Sequence, residues 1–150
     1  MLWLPVFMGI GTFVLDRITK ACVALNMRLG QSIPVIENIF HITFKTNDGA
    51  AFSILSGRVP FLILATLLII GALVALIIVK KPKSKIFGIA VSLIISGALG
   101  NLIDRITLGH VIDFLDARFI DFPIFNVADI CVVCGAALFC IYVFRSTDFE

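Results

Sequence analysis

The chain has 150 residues, 60% of them hydrophobic and 15% charged, with a net charge of +2 and a mean hydropathy of +1.11. Soluble domains run at about 45–50% apolar and about 25% charged residues, so a soluble globular domain is excluded. A charge this small, with no basic face carrying interleaved aromatics, excludes nucleic-acid binding, and what remains is an integral membrane protein.

The first apolar segment runs over about 2–25. It lacks a basic start, and Asp16, Arg17 and Lys20 fall where a signal-peptide cleavage site would be sought. It therefore reads as an uncleaved first span. Asp16 and Lys20 are four residues apart, which puts them on one helical face and within pairing reach. Over 26–57 the character changes. The stretch Gln31–Ile36 and the alternating Phe40-His41-Ile42-Thr43-Phe44 predict a small sheet or hairpin-like cap outside the membrane core. It leads into the turn Asn47-Asp48-Gly49 and a short helical piece through Ala50, Ala51 and Phe52.

Residues 59–79 carry no charge, and 21 residues at about 1.5 Å each span a hydrocarbon core of roughly 30 Å. The loop 80–85 then holds four lysines and a helix-stopping Pro82. By the positive-inside rule that loop is cytoplasmic. The third span, 86–105, repeats small residues at Ser92, Ser96 and Gly100, a stripe suited to close helix packing. It ends in Asn101, Asp104 and Arg105, which share a face, with Asp104 beside Arg105 reading as a structural ion pair. Residues 106–123 read as an outer connecting loop bearing His110, Asp113 and Asp116. The fourth span, 124–144, contains one charged residue, Asp129, with Asn126 on the same face. A charged carboxylate at the centre of a span costs about 2.5–3.5 kcal/mol on insertion scales, and such residues by default mark function.

The fold class predicted is mainly α, a polytopic membrane protein with four transmembrane helices and a small extracytoplasmic β-cradle between the first two. The whole chain forms one membrane domain with both termini cytoplasmic. Asn101, Asp104, Arg105, Asn126, Asp129, Asp16 and Lys20 then gather at one depth near the outer face, which one site explains economically. Two adjacent carboxylates suit acid–base hydrolysis, because proximity separates their pKa values. Asp129 is one member, and Asp104, Asp113 and Asp116 are all open as its partner. His41 and His110 are isolated and no zinc-protease motif occurs, so neither a metal nor another cofactor is expected. Cys131 and Cys134 form a C-x-x-C, but their apolar surroundings read as packing. The competing classes are a small proton-coupled transporter using an intramembrane carboxylate and a non-catalytic assembly subunit.

Five motifs stand in order: Asp16-Arg17-Ile18-Thr19-Lys20, Asn47-Asp48-Gly49-Ala50-Ala51-Phe52-Ser53, Gly97 to Arg105, Gly109-His110-Val111-Ile112-Asp113-Phe114, and Phe125-Asn126-Val127-Ala128-Asp129. Together they closely resemble the bacterial lipoprotein signal peptidases (signal peptidase II), over nearly the whole chain. The resemblance implies an intramembrane aspartic endopeptidase of the bacterial inner membrane, with its active site near the extracytoplasmic face. Such enzymes remove the signal peptide from prolipoproteins just before the diacylglyceryl-modified cysteine. The resemblance selects Asp113 and Asp129 as the catalytic dyad. It assigns substrate contacts to Asn47, Asn101, Arg105 and Asn126. Structural or orienting roles fall to Asp16, Lys20, Gly49, Ala51, Phe52, Asp104 and Ala128. The expected partners are the prolipoprotein and membrane lipids, and the expected state is a monomer. Asp48, an acidic choice in a variable slot, adds a charge near the cleft.

Overall fold

In the computed structural model, residues 3–50, 52, 54–81, 83–120 and 122–145 are described. They form, in order, helix α1 (Trp3–Asn26), strands β1 (Ser32–Ile36) and β2 (Phe40–Asn47), helices α2 (Val59–Lys80) and α3 (Lys85–Leu108), strand β3 (Val111–Ala117) and helix α4 (Val127–Arg145). Ala51, which the sequence reading names as an orienting residue, lies outside the described residues.

Among the described residues three helices, α2, α3 and α4, are long and apolar enough to cross a membrane. At 22 residues α2 is about 33 Å long. It is apolar on every side, and of its residues only Leu62 is buried. A helix so exposed and so apolar is solvated by lipid tails. α1 is as long as α3, at 24 residues, but carries Asp16, Arg17 and Lys20.

α3 is the central helix, and small residues let two neighbours press against it. On one side Ser92, Ser96 and Gly100 meet α1. A Cβ on Gly9 would lie 3.3 Å from Ser92 Cβ, and the hydroxyls of Thr12 and Ser96 are 2.8 Å apart. On the other side a Cβ on Gly97 would sit 2.3 Å from the Ala128 carbonyl oxygen, and one on Gly135 would sit 2.8 Å from that of Ala90. The predicted small-residue stripe is thus the α1 contact, and a second one holds α4. α3 ends at Gly109, whose φ of +77° is the left-handed cap that glycine takes without strain; its N–H donates to the Arg105 carbonyl.

The sheet has the order β1-β2-β3 and is antiparallel throughout. The cradle is therefore not built from the segment between α1 and α2 alone. β3 comes from the stretch read as a connecting loop, and it pairs Asp113 opposite Lys45 and Asp116 opposite His41. The strand escaped notice because it is buried on both faces except at Leu115, so it shows no alternation. Val23 of α1 packs with Ile112 and Phe114 of β3, and Val127 at the head of α4 rests on the same cluster. This places the sheet over one end of the helices.

Candidate functional site

α4 begins with a reciprocal cap. Asn126 Oδ1 accepts from the Asp129 backbone N–H at 2.9 Å, and Asp129 Oδ2 accepts from the Asn126 backbone N–H at 3.1 Å. This is a capping box, in which the residue before the helix and the third residue inside it satisfy each other's free donors. The i, i+3 spacing that reads as a shared face thus has a second consequence: it fixes the Asp129 carboxylate at the helix start, where the dipole favours negative charge. The other oxygen, Oδ1, accepts from Asn101 Nδ2 on α3 at 2.8 Å.

The Asn126 side chain also reaches out of its helix. Its Nδ2 donates to Asp113 Oδ1 at 2.7 Å, with longer contacts to Asn101 Oδ1 at 3.2 Å and the Ile112 carbonyl at 3.3 Å. One fully buried asparagine therefore joins Asp113 on β3 to Asp129 on α4. Asp113 is only 3% exposed, and its carboxyl is pushed up to about 7, first by burial and then by the nearby Asp129 charge. Asn126, Asn47 and Lys20 pull the other way without overcoming these effects. Asp129 is less deeply buried than Asp113.

Beneath the two carboxylates lies a layer of paired charges. Lys20 is fully buried; its Nζ lies 3.0 Å from Asp16 Oδ2 and 2.9 Å from Asp104 Oδ2, and donates to Asn101 Oδ1 at 2.9 Å. Asp16 Oδ1 accepts from the Ala128 N–H at 2.9 Å, so α1 also caps α4. Gly100 makes room for that carboxylate, since a Cβ there would lie 2.5 Å from Asp16 Oδ2. Asp104 does not pair with Arg105. Its partners are Lys20 and Arg17, because adjacent helix residues project in directions about 100° apart. Arg17 is the residue that the sequence reading passes over. Its spacing of three from Lys20 was the available signal, since it puts the two cations on neighbouring parts of one face.

Arg105 turns instead toward the loop after β2, donating from Nη2 to the Gly49 carbonyl at 2.9 Å. Its Nε is buried and has no hydrogen-bond partner among the described residues. Asn47, at the end of β2, accepts from the Gly49 N–H at 2.9 Å, a local turn that presents Gly49 to Arg105. Asp48 is spent within its own loop, bonded to Ser56 Oγ and accepting from the Gly57 N–H at 3.1 Å. The Ser56 hydroxyl, ahead of other causes, holds its carboxyl below the usual range. Phe52 is 63% exposed and meets Phe122 edge-on at 5.8 Å, and Phe122 meets Phe125 at 5.6 Å. These rings connect the loop to the approach to α4.

Of the three candidate partners for Asp129, the structure brings Asp113 to it through Asn126. Asp104 is used up in the ion-pair layer. Asp116 lies farther along β3, where burial works against its ionisation but Thr43 Oγ1 at 2.6 Å and Arg118 Nε at 3.0 Å still hold its carboxyl below the usual range. Asn101 and Asn126 are buried with their amides committed inside the protein, whereas Arg105 keeps a donor in hand. All four cysteines are free thiols; Cys131 is buried and Cys134 is exposed.

Comparison with known proteins adds to this geometry. The family model described as "Signal peptidase (SPase) II" matches residues 8–145. A lipoprotein signal peptidase of Nostoc punctiforme is 43% identical over 97% of this chain and 90% of its own length. One from Clostridium acetobutylicum is 41% identical over 90% of each. A bacterial membrane enzyme solved by the in meso method at 2.3 Å resolution superposes with a TM-score of 0.91 at 36% identity, over 97% of this chain and 90% of that one.

Proposed function

Since the chain belongs to the signal peptidase II family, we propose that it removes the signal peptide from diacylglyceryl-modified prolipoproteins by aspartic catalysis, with Asp113 and Asp129 as the catalytic pair. The observation that carries this reading is the Asn126 bridge, which donates to one carboxylate from its side chain and to the other from its backbone.

Charge balance supports it. Around the pair, Arg17, Lys20 and Arg105 face Asp16, Asp104, Asp113 and Asp129. Three cations against four carboxylates leave one negative charge, and a single proton on the pair makes this largely buried cluster neutral. That is the state aspartic hydrolysis needs. The ionised carboxylate takes a proton from water as its oxygen attacks the scissile carbonyl. The protonated one stabilises the oxyanion and then supplies a proton to the leaving amine as the C–N bond breaks. The proton belongs to the pair and not to either residue alone.

In this reading Asn101 and Asn126 hold the carboxylates in place, and the unpaired Nε of Arg105 is offered to a substrate carbonyl or head group. Asn47 and Gly49 shape the wall from which Arg105 is aimed, while Phe52 lies at the rim. Asp16 and Lys20 lock α1 to α3 and α4, with Ala128 as the point of closest approach. We read α1 as a fourth span, since Asp16 and Lys20 turn inward while Phe7, Ile10, Val14 and Ile18 present an apolar face. The lysine loop and both termini are then cytoplasmic in a bacterial inner membrane. The sheet lies outside, and the protein acts as a monomer, with the substrate's lipid chains in the bilayer.

The purified protein incubated with a synthetic diacylglyceryl-prolipoprotein and with its unlipidated twin tests the assignment. Cleavage before the cysteine of the lipidated form only is expected. Equal cleavage of both, or of neither, removes the assignment.

A further inference from the structure

The end of the molecule opposite the carboxylates holds a groove that the peptidase reading leaves unused. It measures about 940 Å³ and lies between α1, the end of α2 and the first half of α3. Its walls include Val6, Ile10, Phe13, Ile77, Val91 and Ile95. Lys81, Lys83 and Lys85 line its mouth, all three exposed and in no ion pair among the described residues. An apolar trough on a membrane protein takes acyl chains, whereas three ammonium groups at its rim call for an anion.

We propose that this groove holds an anionic phospholipid, its phosphate among Lys81, Lys83 and Lys85 and its chains along α1 and α3. Charge complementarity selects this occupant. A zwitterionic lipid offers the lysines no net charge. The signal segment of a secreted protein begins with a basic region, which the lysines repel. The proposal goes beyond the catalytic reading and does not depend on which residues cleave.

The chain supplies its own probe. Trp3 is the sole tryptophan, 72% exposed, and stands three residues before Val6 and seven before Ile10, on the groove side of α1. The full chain is placed in phosphatidylcholine vesicles carrying a minor fraction of either brominated phosphatidylglycerol or brominated phosphatidylcholine, and Trp3 quenching is read. A basic residue near an anionic membrane surface is worth about fivefold in local enrichment, so several-fold stronger quenching by the phosphatidylglycerol is expected. The triple variant Lys81→Gln, Lys83→Gln, Lys85→Gln should bring the two lipids level. Ile95→Phe, which fills the groove and keeps the lysines, should also lose the preference, while the conservative Ile95→Val keeps it. Equal quenching in the unaltered protein overturns the proposal. So does a preference that survives Ile95→Phe, which would reduce it to surface attraction. Relief of quenching by a synthetic signal segment would give the groove to a peptide and overturn it equally.

Discussion

Asp113 is held in a way that makes its charge expensive. Its folded pKa of about 7 lies well above the ordinary 3.8, chiefly through burial and then through Asp129. A group whose pKa is raised by folding stabilises the native state below its unfolded pKa, and loses that contribution as pH rises through the folded value. Native stability should therefore fall between about pH 4 and about pH 7 on this account. Replacing Asp113 by Asn, a neutral stand-in for the protonated acid, should raise the melting temperature by a few degrees above pH 7. The gap should close near pH 4, as thermal unfolding in detergent across that range will show. The kcat/KM profile should lose activity on the alkaline side near pH 7, as the shared proton leaves. Asn126 has two separable duties. Asn126→Ala removes the helix cap, at about 1 kcal/mol of stability, and frees both carboxylates to shift. Because a misplacement of about 1 Å can cost roughly 10²-fold, kcat should fall by about that much while KM changes little. A KM effect alone would mean that the residue contacts substrate, as the sequence-level reading has it.

At the scale of elements, the packing of α3 sets what can be substituted. A Cβ on Gly97 meets backbone at 2.3 Å, whereas one on Gly71 of α2 meets nothing within 4 Å. Gly97→Ala should cost about 1–3 kcal/mol through overpacking, and Gly71→Ala should be neutral or slightly stabilising. Denaturation of the two variants side by side checks this. The same elements show where sequence was informative. α2 was legible because an uninterrupted apolar run leaves little choice, whereas the fourth span was read from 124 and α4 begins at Val127, where Asn126 caps it. β3 was not, because a strand buried on both faces carries no period and its neighbours in the sheet lie far away in sequence. The Asp104–Arg105 pair was misread for a related reason: adjacency along the chain is not adjacency around a helix.

Across the whole molecule, one cluster ties three helices to the sheet. Lys20 touches Asp16, Asp104 and Asn101, which span α1 and α3, and Asn101 in turn holds Asp129 on α4. Removing its charge leaves the buried Asp16 carboxylate with no cation beside it and Asp104 with Arg17 alone. Lys20→Met should therefore destabilise the fold by about 3–5 kcal/mol, measured by the loss of folded protein on thermal challenge. The gathering of polar residues at one depth was readable once the spans were taken to alternate in direction from the lysine loop. The carboxylate bridged to Asp129 was not readable from spacing, since separation along the chain does not choose among Asp104, Asp113 and Asp116. Only the turn at Gly109 and the pairing of β3 with β2 separate them. The most direct measurement is cleavage of a diacylglyceryl-prolipoprotein by Asp113→Asn and Asp129→Asn, each purified from membranes as folded protein. The account predicts that both are inactive, and normal processing by either one contradicts it.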